Sequence, residues 1–275
     1  MKRWLGRAWG GGAAAAGPSA RDGGAAAAAA RNVARGSSAL QPDDIDWFHS
    51  IDLGDGCVTA GAKSGEDLRS EFARLGLDEA ALRGKTVLDV GCADGWNSLE
   101  CERLGAEVTA VDAIHRDGLR YVRRHLRPRF RFVQVDVLSP SFLELGSYDF
   151  VLYLGVLYHT PYAFDQLARV ARVCRGTVFV ESAFLNLAGH ADRATLTFNF
   201  DGRITPDLSS PVFPSVAWIT SALGALGFAD VAVVAGGAGD AGHGVSAAPG
   251  RVLVRASNRR FDAMPLVFAA EQTAV

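Results

Sequence analysis

Thr86-Val-Leu-Asp-Val-Gly-Cys-Ala-Asp-Gly-Trp96 is the stretch on which the reading of the whole chain turns. Thr86, Val87, Leu88 and Val90 are β-branched or apolar, and read as a short buried strand of the kind that parallel sheets contain. The strand runs into Gly91-Cys-Ala-Asp-Gly95, and residues 96–104 then carry the pattern of an amphipathic helix. Such a strand, glycine turn and helix predict unpaired backbone N–H groups at a cleft that a polar ligand can approach closely. No Gly-Lys-Ser/Thr follows, so this is not a phosphate loop. Gly91 and Gly95 stand four apart with Ala93 between them, so it is not the dinucleotide fingerprint either. The loop carries two acids, Asp89 and Asp94, and an acidic loop suits a ligand with a cationic part.

The chain has 275 residues, enough for one large or two small domains with a sizeable core. Its apolar content of 49% is inflated by alanine near the start, and a net charge of −2 gives no global reason to expect nucleic acid or an anionic membrane. Cys57, Cys92, Cys101 and Cys174 have no C-x-x-C spacing and no partner histidines. They read as reduced thiols of a cytoplasmic protein, with no metal site. No stretch of about 18 apolar residues is present, so no membrane span is expected.

Composition divides the chain into four parts. Residues 1–40 are Ala/Gly-rich, with few side chains able to bury area, and are expected to be disordered. The Met1-Lys-Arg start resembles the basic end of a signal peptide, but no adequate apolar region follows it. Residues 41–84 form an arm and a linking helix, with apolar positions Leu68, Phe72, Leu75 and Leu77 at roughly helical spacing. The arm either staples the N-terminus to the core or acts as a lid that presents Trp47, His49 or Lys63 to a ligand. Residues 85–258 form the main domain, and residues 259–275 a C-terminal extension.

From Lys85 onward strands and helices alternate, which predicts a parallel α/β sheet. The second strand, Glu107-Val-Thr-Ala-Val-Asp112, ends in an acid 21 residues after Gly91. An acid there accepts hydrogen bonds from two vicinal ribose hydroxyls, the alternative being a helix N-cap. A basic helix follows, with Arg116, Arg120, Arg123, Arg124 and Arg127, and Arg129 and Arg131 just beyond. It reads as a solvated face more readily than as an RNA-binding patch. The third strand ends in Asp136, placed to reach an adenine amino group or to cap a turn. In Tyr148-Asp-Phe-Val-Leu-Tyr-Leu-Gly-Val-Leu-Tyr-His-Thr-Pro161 a buried strand is broken by Gly155. Tyr158 and His159 then fall at the carboxyl ends of the strands, where they act as proton acceptors or substrate clamps, or simply pack. The fifth strand, Thr177-Val-Phe-Val-Glu-Ser182, brings Glu181 to the same end. A helix over residues 215–226 and two late strands, 231–235 and 251–256, predict one antiparallel strand on an otherwise parallel sheet.

Val87-Leu-Asp-Val-Gly-Cys-Ala-Asp-Gly95, Val111-Asp112 and the late hairpin resemble class I S-adenosylmethionine-dependent methyltransferases. The resemblance covers residues 84–257. It implies a Rossmann-like sheet of seven strands in the order 3-2-1-4-5-7-6, with strand 7 antiparallel and helices on both faces. The family's loop is usually G-x-G-x-G, and Ala93 replaces the middle glycine. By resemblance, S-adenosyl-L-methionine is the cofactor, Gly91 contacts its amino-acid part, and Asp89, Cys92, Ala93, Gly95 and Ala113 are further cofactor-binding residues. Asp112 would meet its ribose, and Asp136 and Val137 its adenine. Leu154-Gly-Val-Leu-Tyr-His159, Val212-Phe-Pro-Ser215 and Ala248-Pro-Gly-Arg251 are similar to the tRNA wobble-uridine carboxymethyltransferase group. There Leu154 and Tyr158 fall on cofactor-contacting positions and Arg251 on a carboxylate-binding arginine. That group also has a lysine ahead of its core, and Lys63 is the only lysine in this arm.

The expectation is methyl transfer to a small-molecule hydroxyl, amine or carboxylate. His159 or Tyr158 would remove a proton, and Trp47, His49, Lys63, Glu181 and Arg251 would contact the acceptor. Arg251 is expected to pair with a surface acid rather than to hold a carboxylated cofactor. The alternatives are RNA modification, which needs a basic surface joined to the cleft, and a non-catalytic nucleotide-binding module, which needs no Tyr-His pair at its mouth.

Overall fold

The computed structural model describes residues 41–54, 56–187, 189–236 and 249–260. The Ala/Gly-rich tail, most of the glycine-rich loop before Arg251 and nearly all of the C-terminal extension lie outside the described residues.

The central sheet has seven strands in the order β3-β2-β1-β4-β5-β9-β8. Its parallel part comprises β1 (Thr86–Val90), β2 (Glu107–Asp112), β3 (Arg131–Gln134), β4 (Tyr148–Leu154) and β5 (Cys174–Phe184). The two late strands are β8 (Phe228–Gly236) and β9 (Gly250–Arg259); β9 runs antiparallel to both β5 and β8. Counted within this sheet the order is 3-2-1-4-5-7-6 with strand 7 antiparallel, as the family resemblance implies.

Alternation along each strand sends apolar side chains to two separate cores. Leu88, Val90, Val111, Val151, Tyr153, Val178, Val180, Val252 and Val254 belong to one. It is closed by α5 (Ala163–Arg172) and α6 (Val216–Ala225), through Leu167, Val170, Ile219 and Leu223. Val87, Val108, Ala110, Leu152, Phe179 and Leu253 face the opposite core. There they meet α1 (Gly65–Arg74), α2 (Glu79–Leu82), α3 (Trp96–Arg103) and α4 (Asp117–His125). A face covered on both sides is what makes β1 and β4 read as nearly continuous apolar runs.

Two elements differ from the sequence expectation. The single linking helix is two, because the chain leaves α1 through Gly76 in the left-handed region (φ 67°) before Asp78 caps α2. The second is a small antiparallel ribbon between β5 and α6, formed by β6 (Leu196–Phe198) and β7 (Val212–Pro214). Three-residue strands are too short for alternation to reveal.

The arm packs on the second core. Trp47, Ile51 and Leu53 are buried there, and the Trp47 indole N–H donates to Pro42 O at 2.8 Å. The Ser50 amide donates to Lys63 O and the Lys63 amide to Phe48 O, closing the arm on itself. Gly61 is required at that closure, since a Cβ there would lie 2.0 Å from the His49 carbonyl carbon.

Candidate active site

The carboxyl ends of β1, β2 and β4 open on a cavity of about 280 Å³. Gly91 and Ala93 from the glycine loop and Asp112 from β2 line one half. Leu154, Tyr158 and His159 from the end of β4, with Arg251 from β9, line the other. His49 and Lys63 close it from the arm.

Gly91 has φ +74°, and a Cβ on it would lie 2.3 Å from Val156 Cγ2, so only glycine fits. Ala93, where the family has glycine, also adopts a left-handed conformation, with φ 50°. Its amide donates to Asp112 Oδ2 at 3.0 Å, which holds the strained turn against the end of β2. Four of the five loop amides have internal acceptors, and the start of α3 carries no side-chain cap. The amides of Gly91 and Cys92 donate to Val111 O, and that of Gly95 to Cys92 O. Close backbone approach remains, and the carboxylate of Asp112 lines the cavity beside the loop. Asp112 is not a helix cap: α4 is capped at Arg116, and Asp112 Oδ1 accepts from the Ile114 amide at 3.0 Å.

The second acid of the loop serves the arm. Asp94 Oδ2 accepts from the amides of Phe48 at 2.6 Å and His49 at 3.0 Å. Burial raises the pKa of Asp94, partly offset by these two donors. This clamp turns the His49 side chain, itself buried, into the cavity wall. Burial and the charge of Lys63 hold His49 at a pKa of about 3, so its ring is neutral, and its Nδ1 has no partner. Lys63 Nζ pairs with Glu71 at 2.7 Å.

On the opposite wall Arg251 and Glu181 form a buried two-point ion pair through Nε and Nη2. Arg251 is thus paired with a buried acid of the neighbouring strand, not with a surface one, because β9 lies beside β5 and sets Arg251 opposite Ala183. The Arg251 guanidinium lies 4.9 Å over the Tyr158 ring, and its Nη1 is buried without a partner. Burial pushes the Tyr158 phenol above its ordinary pKa. The His159 ring packs on Tyr158, with centroids 4.3 Å apart, and its Nδ1 lies 2.6 Å from Ser209 O. A carbonyl only accepts, so Nδ1 carries the proton and Nε2 keeps its lone pair. His159 is exposed at the rim of the site, and partial desolvation, with the charge of Arg251, lowers its pKa from the ordinary value against the raising effect of Ser209 O.

Several predicted residues do not line the cavity. Asp89 is buried beneath the loop with Ser98 donating to it at 2.6 Å, and burial raises its pKa to about 7. Cys92 is also buried, its thiol pushed up by desolvation. Gly95 caps α3, and a Cβ there would meet Leu119 Cδ1 at 2.9 Å. The Ala113 carbonyl accepts from Gln134, and Asp136 Oδ1 accepts from the Leu138 amide in a local turn. Val137 and Trp47 are core residues, and Glu181 reaches the site only through Arg251. Conversely, Phe48, Glu71, Asn97, Arg116, Asp207 and Ser210 line the cavity without having been singled out for it by sequence. Asp207 and Ser210 come from the loop between β6 and β7, whose polar turn residues carry no signal of where the loop folds.

The cavity suits a cofactor with one net positive charge. Lys63, Arg116 and Arg251 stand against Glu71, Asp112 and Asp207 on its lining, and Glu181 adds a carboxylate behind Arg251. Nδ1 of His49 and Nη1 of Arg251 are buried without a hydrogen-bond partner. No group of His, Cys, Asp and Glu side chains able to hold a metal occurs among the described residues, and none of their helices is long and apolar enough to cross a membrane.

Residues 87–176 match the model of a methyltransferase domain. A curated ubiquinone biosynthesis O-methyltransferase of Nitrosococcus oceani is 34% identical over 119 residues, which is 41% of this chain and 48% of that protein. One from Xanthomonas campestris pv. campestris is 37% identical over 113 residues, covering 37% of this chain and 44% of that protein. The chain spans about half the length of these curated relatives or less. Among solved structures, the N-terminal domain of EvdMO1 with SAH bound superposes with a TM-score of 0.57 at 18% identity, over 82% of this chain and 100% of that one. Together with the strand order, these similarities give the chain the Rossmann-like fold of the class I S-adenosylmethionine-dependent methyltransferases.

Proposed function

We propose that this chain transfers a methyl group from S-adenosylmethionine to a small-molecule acceptor, by O- or N-methylation. The observation that carries the reading is one cavity joining Gly91 and Asp112 on one side to Tyr158 and His159 on the other. Asp112 keeps lone pairs for ribose hydroxyls beyond those that accept from Ala93 and Ile114. Gly91 admits the cofactor's amino-acid part. Asp136 and Val137, beyond the end of β3 and outside the cavity lining, are assigned to the adenine by the family resemblance alone. The cofactor, when bound, supplies an electrophilic sulfonium methyl. The protein's part is alignment of the acceptor and exclusion of water, by the arm that Asp94 clamps down. His159 Nε2 takes the acceptor's proton where there is one to lose.

The domain organisation follows from this reading. Residues 85–258 carry the transferase and residues 41–84 the arm that completes its cavity. The enzyme works in the cytoplasm on a small molecule. The narrower likeness to tRNA carboxymethyltransferases would have Arg251 receive a carboxylate. Glu181 already balances that charge, which favours plain methyl transfer. Native mass spectrometry of the purified full chain is the test: a co-purifying S-adenosylmethionine or S-adenosylhomocysteine supports the reading, and a retained nicotinamide or flavin nucleotide contradicts it.

A further inference from the structure

The loop between β6 and β7 is built around one side chain. Asn199 is fully buried, and its Nδ2 donates to Thr205 O at 2.9 Å and to Thr205 Oγ1 at 3.2 Å. Its Oδ1 accepts from the amides of Ile204 and Thr205, so the whole carboxamide is used inside the loop. Thr205 Oγ1 donates in turn to Asp207 O at 3.3 Å, and the Asn199 amide closes the loop on Pro211 O at 2.9 Å. Asp207 then holds the chain on both sides of Ser209. Its Oδ1 accepts from the Ser209 amide at 2.9 Å, and its main-chain oxygen from the Ser210 amide at 3.3 Å. With both flanking peptide groups tied, the Ser209 carbonyl is left aimed at His159, 2.6 Å from Nδ1.

His159 needs that support. It ends a single 3-10 turn over Leu157–His159, with its ring exposed at the cavity rim, so its own stretch of chain fixes neither rotation nor tautomer. Tyr158 packs on the ring, and Ser209 O takes the Nδ1 proton's hydrogen bond. The Nε2 lone pair is the one left for a methyl acceptor. Charge acts here as well. The Asp207 carboxylate lines the cavity and favours an imidazolium at His159, against Arg251 and Arg116. Glu181 offsets Arg251 from behind, and the Tyr158 phenol, pushed up by burial, stays neutral.

We propose that Asp207 is a positioning residue for His159: it acts through the main chain of Ser209 to fix the ring's tautomer, and through its charge to favour the imidazolium. This rests on the methyltransferase reading and deepens it. The acceptor's proton passes to Nε2 as the acceptor attacks the methyl carbon, and the imidazolium, exposed at the rim, returns that proton to water.

The test is nitrogen-15 NMR of the full chain with labelled histidine, the His159 signals being assigned by their loss in His159→Gln. Wild type should show the Nδ1–H tautomer. Asp207→Asn keeps an acceptor for the Ser209 amide but removes the charge, so it should keep the tautomer and lower the ring's pKa. Asp207→Ala removes both. Its ratio of Nδ1–H to Nε2–H forms should fall about fivefold, the equivalent of one hydrogen bond's roughly 1 kcal/mol. Asp201→Ala is the control, since Asp201 Oδ1 accepts from the Arg203 amide at 3.2 Å in the same kind of turn, outside the cavity lining. It should leave tautomer and pKa unchanged. A wild-type tautomer ratio in folded Asp207→Ala, an unshifted pKa in Asp207→Asn, or an equal change in Asp201→Ala each overturns the assignment. If Asp207→Ala does not fold, Asp207→Asn decides alone. Failure of the wild-type chain to bind S-adenosylhomocysteine, titrated separately, overturns the methyltransferase reading and is told apart because it leaves the ring signals as they are.

Discussion

Asp94 accepts hydrogen bonds from the main chain of His49, at 3.0 Å, and of its neighbour Phe48, at 2.6 Å, across 45 and 46 residues of sequence. One carboxylate thereby ties the arm to the glycine loop, and the wall of the cavity to its floor. Asp94→Ala should cost about 1.5–3 kcal/mol, the usual worth of hydrogen bonds to a charged group. Amide hydrogen exchange should speed up over residues 46–52 first. Wild-type exchange rates there in the variant would show that the clamp does not hold the arm.

Ala93 supplies a second test. Its φ of 50° costs an L-residue about 1–2 kcal/mol, part of which glycine's greater unfolded-state freedom cancels. Ala93→Gly should therefore raise stability by about 0.5 kcal/mol and the midpoint of thermal unfolding by about 1–2 °C. A lower midpoint by scanning calorimetry would mean that the turn is not strained.

Asp89 gives a pH dependence with a definite sign. Its folded pKa, about 7, lies above the ordinary 3.8, so the folded state binds the extra proton between those values. Stability must then fall as pH rises from about 4 to about 7. Asp89→Asn keeps an acceptor for Ser98 and should flatten that part of the curve. Denaturant unfolding at several pH values decides it, and an unchanged slope in the variant would reject the assignment to Asp89.

His159 should titrate below its ordinary value of 6.5, because surrounding protein and Arg251 disfavour the imidazolium. At neutral pH its spectrum should be that of the Nδ1–H tautomer, fixed by Ser209 O. Nitrogen-15 NMR of the ring reads both properties. A pKa above 6.5, or the opposite tautomer, would remove His159 as a proton acceptor.

How far the sequence could be read follows from where the information sits. β1, its loop and Asp112 are legible because a buried strand, a glycine turn and a following helix leave a contiguous local pattern. The antiparallel β9 is legible from its place after α6. Arg251 and Glu181 lie 70 residues apart and meet only because β9 inserts beside β5, so their pairing is a property of the sheet and not of either stretch. Asp94 reads locally as a free loop acid, since the amides that occupy it come from the arm. Asp207 and Ser210 are invisible for a similar reason: the β6–β7 ribbon that carries them to the cavity is too short to show a period.

The most direct test of the account is calorimetric titration of the full chain with S-adenosylhomocysteine. The account predicts one site of micromolar affinity, weakened at least tenfold in Asp112→Ala, where the ribose contact and the brace on the Ala93 amide are lost together. No binding to the folded wild-type chain, or an unchanged affinity in a folded Asp112→Ala protein, would contradict it.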